Sequence, residues 1–183
     1  MITYDLESDG LYEEATKVHC MVIKCDSEIH RFYDLADISI EPQPLDHELN
    51  REEILKVFKS GSGVIICHNQ LGYDIWMLKK FFDIDLISEF GWNRLVDTYV
   101  WSQALHPDRK LPRGSPTTIT LSNGRSKKIG PHGLESYGYR VSVKKPSIED
   151  WSTFNQEMIS RCVEDVIINE KTYEYLLKER GNL

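Results

Sequence analysis

The chain has no long apolar run. Its longest apolar stretches, such as Val64-Ile65-Ile66-Cys67, fall far short of the about 20 residues that cross a bilayer as a helix. No basic, apolar leader precedes the first predicted strand, so nothing points to secretion and a cytoplasmic protein is expected. The 4 cysteines include no Cys-x-x-Cys pair, and His19 beside Cys20 finds no second pair at ligand spacing, which leaves a zinc site without support. Cys20 and Cys67 fall in apolar runs and Cys162 on a predicted helix, the usual places of reduced core thiols. Internal repeats and low-complexity tracts are absent, and the length suits one domain, residues 1–183, able to bury a full core. Positive charge is not in excess either. The net charge of −7 argues against a protein that simply coats nucleic acid, but not against an enzyme that holds metal ions with carboxylates.

What positive charge there is lies concentrated. Arg109, Lys110, Arg113, Arg125, Lys127 and Lys128 fall between His106 and Pro131, with Asp108 the only acid among them. Four of the 7 prolines share that span, which reads as a loop or flap with a local task. Within it Thr117, Ile119 and Leu121 alternate ahead of Ser122-Asn123-Gly124-Arg125, a good hairpin turn. Ahead of the flap, alternation predicts strands over Met1–Glu7, Val18–Lys24 and Ile29–Leu35, joined as an antiparallel meander. A helix over Asp46–Lys59, a buried strand over Val64–Cys67 and helices over Tyr73–Phe82 and Arg94–Leu105 follow. Short helices are predicted to begin near His132 and Ser147. A long one covers Thr153–Lys178, with Cys162, Val166, Asn169, Tyr173 and Leu176 on one face. The layout is α/β, a mixed sheet covered by helices.

Four acids stand out against this frame. Asp5 and Glu7 alternate with Ile2, Tyr4 and Leu6, so they share one face of the first strand. Two such carboxylates repel and resist burial unless something positive lies between them, and a divalent cation is the economical answer. An exposed edge strand with two solvated acids would carry the same triplet. Asp74 follows a buried strand and a short loop at a helix start, where a carboxylate also suits the helix dipole. Asp165 lies beside Val163 and Val166 on the last helix, where a solvated acid is the plain alternative.

In order and context the four resemble the motifs of the DEDD exonucleases, the proofreading 3′→5′ exonuclease family with a ribonuclease H-like fold. Asp5-Leu6-Glu7 matches the first motif, Asn69 with Tyr73-Asp74 the second, and Asp165 on a late helix the third. A fuller resemblance, over nearly the whole chain, is to the exonuclease domain of family A DNA polymerases from short-tailed bacteriophages. It is carried by Lys17-Val18-His19-Cys20, His68-Asn69, Val96-Asp97-Thr98, the stretch from Gly130 to Arg140, and Trp151 through Asp165. The chain ends at Leu183, where such polymerases continue, so the resemblance implies a free-standing exonuclease.

The chemistry explains the residue types. Phosphodiester hydrolysis needs an activated water and a stabilised leaving oxygen, and two metal ions about 3.5–4 Å apart serve both. Mg2+ or Mn2+ with a few carboxylates suffices. The resemblance implies that Asp5 bridges both ions, Glu7 and Asp165 complete the nucleophile-side ion, and Asp74 holds the second through water. It implies that Leu11 wedges against the terminal base and that Asn69 and Tyr73 position the 3′ end. A turn leucine, a loop cap and a core aromatic are their plain alternatives. Lys127 and Lys128 in the flap are expected to meet the DNA backbone. One departure counts. The family places Tyr four residues, or His five residues, before the last Asp, where this chain has Arg161 and Ser160. Arginine cannot act as a base at ordinary pH, though it can donate to a phosphate or pair with Asp165. His132 is a candidate substitute, and a structural histidine is its alternative.

The expected function is thus a metal-dependent 3′→5′ exonuclease on single-stranded DNA ends. It would serve phage DNA replication or proofreading in the host cytoplasm, with a separate DNA polymerase as partner. An RNA exonuclease of the same superfamily is one alternative. A catalytically weak module that binds nucleic-acid ends beside a polymerase is another.

Overall fold

The computed structural model describes residues 1–37, 40–120, 126–143 and 153–181. Six strands form one mixed sheet: β1 (Ile2–Ser8), β2 (Val18–Cys25), β3 (Glu28–Tyr33), β4 (Asp46–Glu48), β5 (Ile65–Cys67) and β6 (Leu95–Asp97). Their order across the sheet is β4-β3-β2-β1-β5-β6. The first three make the predicted antiparallel meander, while β4 runs parallel to β3, β5 to β1 and β6 to β5. This is the α/β, ribonuclease H-like arrangement expected from the sequence.

Alternation along β1 sends its two faces to different helices. Ile2, Tyr4 and Leu6 pack with Ile54 and Phe58 of α1 (Arg51–Ser60) and Met77 and Leu78 of α2 (Asp74–Phe82). The Tyr4 and Phe58 rings meet edge to face at 5.3 Å. On the opposite face Cys20 and Val22 of β2 pack with Met158, Ile159, Cys162 and Val166 of the long helix α6 (Gln156–Gly181). Each fully buried aliphatic or aromatic side chain contributes about 1.5–3 kcal/mol, so the centre of the sheet is fixed from both sides. Asp5 and Glu7 lie on the α6 side. They therefore face a helix rather than open solvent.

Two predicted helices are each a strand and a helix. Asp46–Glu48 pairs with β3 because Arg31 and Tyr33 both reach the Asp46 carboxylate, at 2.8 and 2.7 Å. Asn50 then accepts from the Glu53 N–H at 3.0 Å and starts α1. Leu95–Asp97 likewise pairs with β5, and the Asp97 side chain caps α4 (Thr98–Leu105). The short helix α3 (Leu86–Phe90), capped by Asp85, has no counterpart among the predicted helices. α5 (Leu134–Arg140) begins near His132 as expected. α6 starts at Gln156 rather than Thr153, where Asn155 accepts from the Met158 N–H at 3.0 Å. In the flap, β7 (Thr118–Thr120) and β8 (Ser126–Lys128) pair antiparallel as a separate ribbon. The turn assigned to residues 122–125 and the helix predicted near Ser147 lie outside the described residues. Among the described residues no helix is long and apolar enough to cross a membrane.

Candidate metal centre

The carboxylates singled out by the sequence come together in two groups that share Asp5. Ligand atoms of Asp5, Glu7 and Asp165 lie within 4.8 Å of one another, as do those of Asp5, Cys67 and Asp74. β1 brings Asp5 and Glu7 under α6, one helix supplies Asp165 and another Asp74. The Cys162 thiol donates to the Asp5 carbonyl at 3.2 Å and ties α6 to β1 at this point. Asp165, only 4% exposed, is no solvated surface acid. Arg161, one turn before it, places Nε 3.4 Å from Glu7 Oε1 and 3.8 Å from Asp165 Oδ2.

Asp74 is also 4% exposed, and burial pushes its carboxyl up to about 7. The neighbouring Cys67 thiol and the Asp74 backbone N–H oppose that rise, while the charges of Asp97 and Asp165 add to it. Cys67 is itself pushed well above the usual thiol range by burial and the acids beside it. A pocket that resists negative charge yet is built from carboxylates fits a cation held by hard oxygen ligands.

This has a measurable consequence for the metal-free protein. Between pH about 4 and 7 the folded state keeps a proton on Asp74 that the unfolded chain has released, so stability falls as pH rises through that window. The loss is on the order of 4 kcal/mol, at roughly 1.4 kcal/mol per pKa unit. In chelator, Asp74→Asn should melt above the wild type at pH 8 and level with it at pH 4. A lower melting temperature for the variant at pH 8 would contradict the assignment.

The loop that delivers Asp74 is held by Asp97. The Asp97 carboxylate, 7% exposed, accepts from the backbone N–H groups of Asn69 (2.9 Å), Leu71 (3.0 Å), Tyr99 (2.9 Å) and Val100 (3.2 Å). Asn69 sits in the left-handed region at φ 64°, which asparagine tolerates better than most residues. A Cβ on Gly72 would lie 2.7 Å from Asn69 Oδ1, so a side chain there would displace the asparagine. His68 joins Thr98 at 2.9 Å, and Thr98 donates to Asn169 of α6 at 2.7 Å, which locks the loop to that helix. Tyr73 donates to the Gly10 carbonyl at 2.8 Å and shares a hydrogen bond with Ser8. Leu11, next along the chain from that anchored carbonyl, is 72% exposed.

The flap is only partly free. Arg109 grips Glu179 of α6 with two donors and lies 5.7 Å over the Tyr137 ring, so it anchors the segment. Lys127, across from Ile119 in the ribbon, lines a cavity of about 430 Å³ with His68, Asn69, Tyr99 and His132. Lys128 is the next, exposed residue of the same strand. His132 is 8% exposed and joins the Ser102 hydroxyl at 2.8 Å, a hydroxyl to which Tyr137 also donates, so its ring is built into the fold.

Sequence reasoning did not give a role to Asp97 or to Cys67 in this arrangement. An acid at the residue before a helix was the available signal for Asp97. For Cys67 a three-residue strand carries no periodicity that would place its thiol beside Asp5 and Asp74.

No protein-family model matches the chain. The chain is 29% identical over 204 aligned residues to the DNA-directed DNA polymerase of Enterobacteria phage T3, which covers 98% of this chain. It is also 29% identical over 205 residues to that of Escherichia phage T7, again covering 98%. In each case it spans 27% of the relative's length. A solved structure of a nuclease in its apo form shares the fold, with TM-score 0.59 over 97% of this chain and 72% of that one at 15% identity.

Proposed function

We propose that residues 1–183 are a single exonuclease domain that removes nucleotides from the 3′ ends of single-stranded DNA by metal-dependent phosphodiester hydrolysis. The observation that carries this reading is the position of Asp5, common to both groups of ligand atoms. Asp5, Glu7 and Asp165 would hold one Mg2+ or Mn2+, and Asp5 and Asp74 the other. When bound, the two ions supply an acidified attacking water and positive charge for the leaving 3′ oxygen. The chain's own residues do the rest. Leu11 projects from a loop pinned by Tyr73 and packs against the terminal base. Asn69 and Tyr73 orient the 3′ end, and Arg161 offers donors to its phosphate. The phage polymerase relatives support DNA as substrate, phage replication in the host cytoplasm as setting and a DNA polymerase as partner.

The test is polarity and sugar preference. Wild-type protein with Mg2+ or Mn2+ should shorten 5′-labelled single-stranded DNA stepwise from the other end. The RNA strand of the same sequence should be cut more slowly. Faster loss of RNA would favour an RNA exonuclease. Tight binding without cleavage under either ion would favour an end-binding module, the reading that Arg161 in place of a family Tyr or His supports.

Lys127 and Lys128 draw the strand toward acids that would otherwise repel it. Each phosphate contact steepens the salt dependence of binding by about 0.7 for single strands. Replacing both lysines with alanine should weaken DNA binding at low salt and flatten its slope by about 1–1.5. The rate at saturating DNA should barely move. An unchanged slope would mean that the strand enters elsewhere.

A further inference from the structure

We propose that Arg161 is the resident counter-ion of the Glu7–Asp165 half of the site and must withdraw before that half holds a divalent cation. The proposal rests on the metal-centre reading above and adds a residue that sets ion affinity. Three carboxylates with oxygens within 4.8 Å of one another repel, and the group lies beneath α6 with little access to water. The guanidinium of Arg161 answers that repulsion, 3.4 Å from Glu7 and 3.8 Å from Asp165. Its own side chain is 20% exposed, against 13% for Glu7 and 5% for Asp165, so the charges meet where water screens poorly.

Arginine stays charged at every working pH and has no lone pair to give a metal. It therefore cannot join the ligand set or step aside by losing a proton. It competes for the same two carboxylates, and only a change of side-chain rotamer relieves the competition. Arg161 sits one helical turn before Asp165, so its head keeps within reach of the site after it swings away. A phosphate of the bound strand is then the natural new partner for its fork of donors. Ion and substrate thus help each other. The phosphate draws Arg161 off the carboxylates, and the vacated carboxylates take the ion.

Calorimetric titration of Mn2+ into wild type, Arg161→Gln and Arg161→Lys tests this. In Arg161→Gln one ion should bind about tenfold more tightly, a coupling of ordinary size between two competing charges, with Arg161→Lys close to wild type. Linkage requires the reciprocal effect, which needs no variant. Phenylglyoxal should modify Arg161 of the wild-type protein faster with Mn2+ than in chelator, as read by peptide mass spectrometry. Equal or weaker Mn2+ binding by Arg161→Gln, or reactivity of Arg161 that Mn2+ leaves unchanged, overturns the proposal. Asp5→Asn separates this from failure of the metal centre itself. If Asp5→Asn abolishes Mn2+ binding and Arg161→Gln is no tighter, only the role of Arg161 falls. If Mn2+ binding survives Asp5→Asn, the centre is elsewhere and both readings fall.

Discussion

Asp5→Ala should lower nuclease activity by about a thousandfold or more, roughly 4 kcal/mol of transition-state stabilisation, and at the same time raise the stability of the metal-free protein. Asp5 is the residue common to both groups of ligand atoms, so on the two-ion reading its loss would weaken the hold on both ions rather than one. The opposite sign for stability follows from the same geometry. Without metal, Asp5 adds negative charge beside Glu7, Asp74 and Asp165, and removing it relieves that repulsion. The Cys162 thiol bonds the Asp5 backbone carbonyl, which alanine retains, so the tie between α6 and β1 stays. Single-turnover rates in Mg2+ and thermal melts in chelator read the two effects. Activity within tenfold of wild type, or a clear loss of metal-free stability, would contradict this view of Asp5.

Asp97→Ala should be the most damaging substitution outside the carboxylate cluster, costing about 3–5 kcal/mol. One buried carboxylate satisfies four backbone N–H groups, two in the loop before α2 and two in the first turn of α4. Alanine leaves all four without their acceptor and releases the loop that positions Asn69 and Asp74. Activity should therefore fall by about 10–100-fold, the usual effect of losing a residue that orients a metal site from behind. Asp97→Asn distinguishes the contacts. Three of the four donors use Oδ1, which asparagine keeps, while the Leu71 N–H would meet an amide nitrogen in place of Oδ2. Its cost should be nearer 1–2 kcal/mol. Urea melts at neutral pH read the series, and an alanine variant within 1 kcal/mol of wild type would show that water replaces the carboxylate freely.

How much of this was legible in the sequence depends on the length of each element. β1 spans 7 residues and α6 spans 26, long enough for period to set faces, so Ile2, Tyr4 and Leu6 opposite Asp5 and Glu7 could be read directly. The buried face of α6 through Cys162, Val166 and Asn169 was readable for the same reason. β4 and β6 are three residues each and have no period to read. Asp46 joins the sheet because Arg31 and Tyr33 hold it, and Leu95–Asp97 joins because β5 offers an edge. Those are tertiary decisions that override a local helical pattern. The contacts of Arg161 divide in the same way. Its pairing with Asp165 follows from i,i+4 spacing, whereas its approach to Glu7 depends on how α6 crosses β1. Arg109 reads in the sequence as one more flap cation, whereas Glu179, 70 residues away, holds it in the fold.

The most direct test of a two-ion centre is a crystal of the protein soaked in Mn2+, with anomalous scattering used to place the ions. Two manganese positions are predicted, one against Asp5, Glu7 and Asp165 with Arg161 displaced, the other against Asp5 and Asp74. Manganese bound only away from Asp5, or none bound at all, would contradict it.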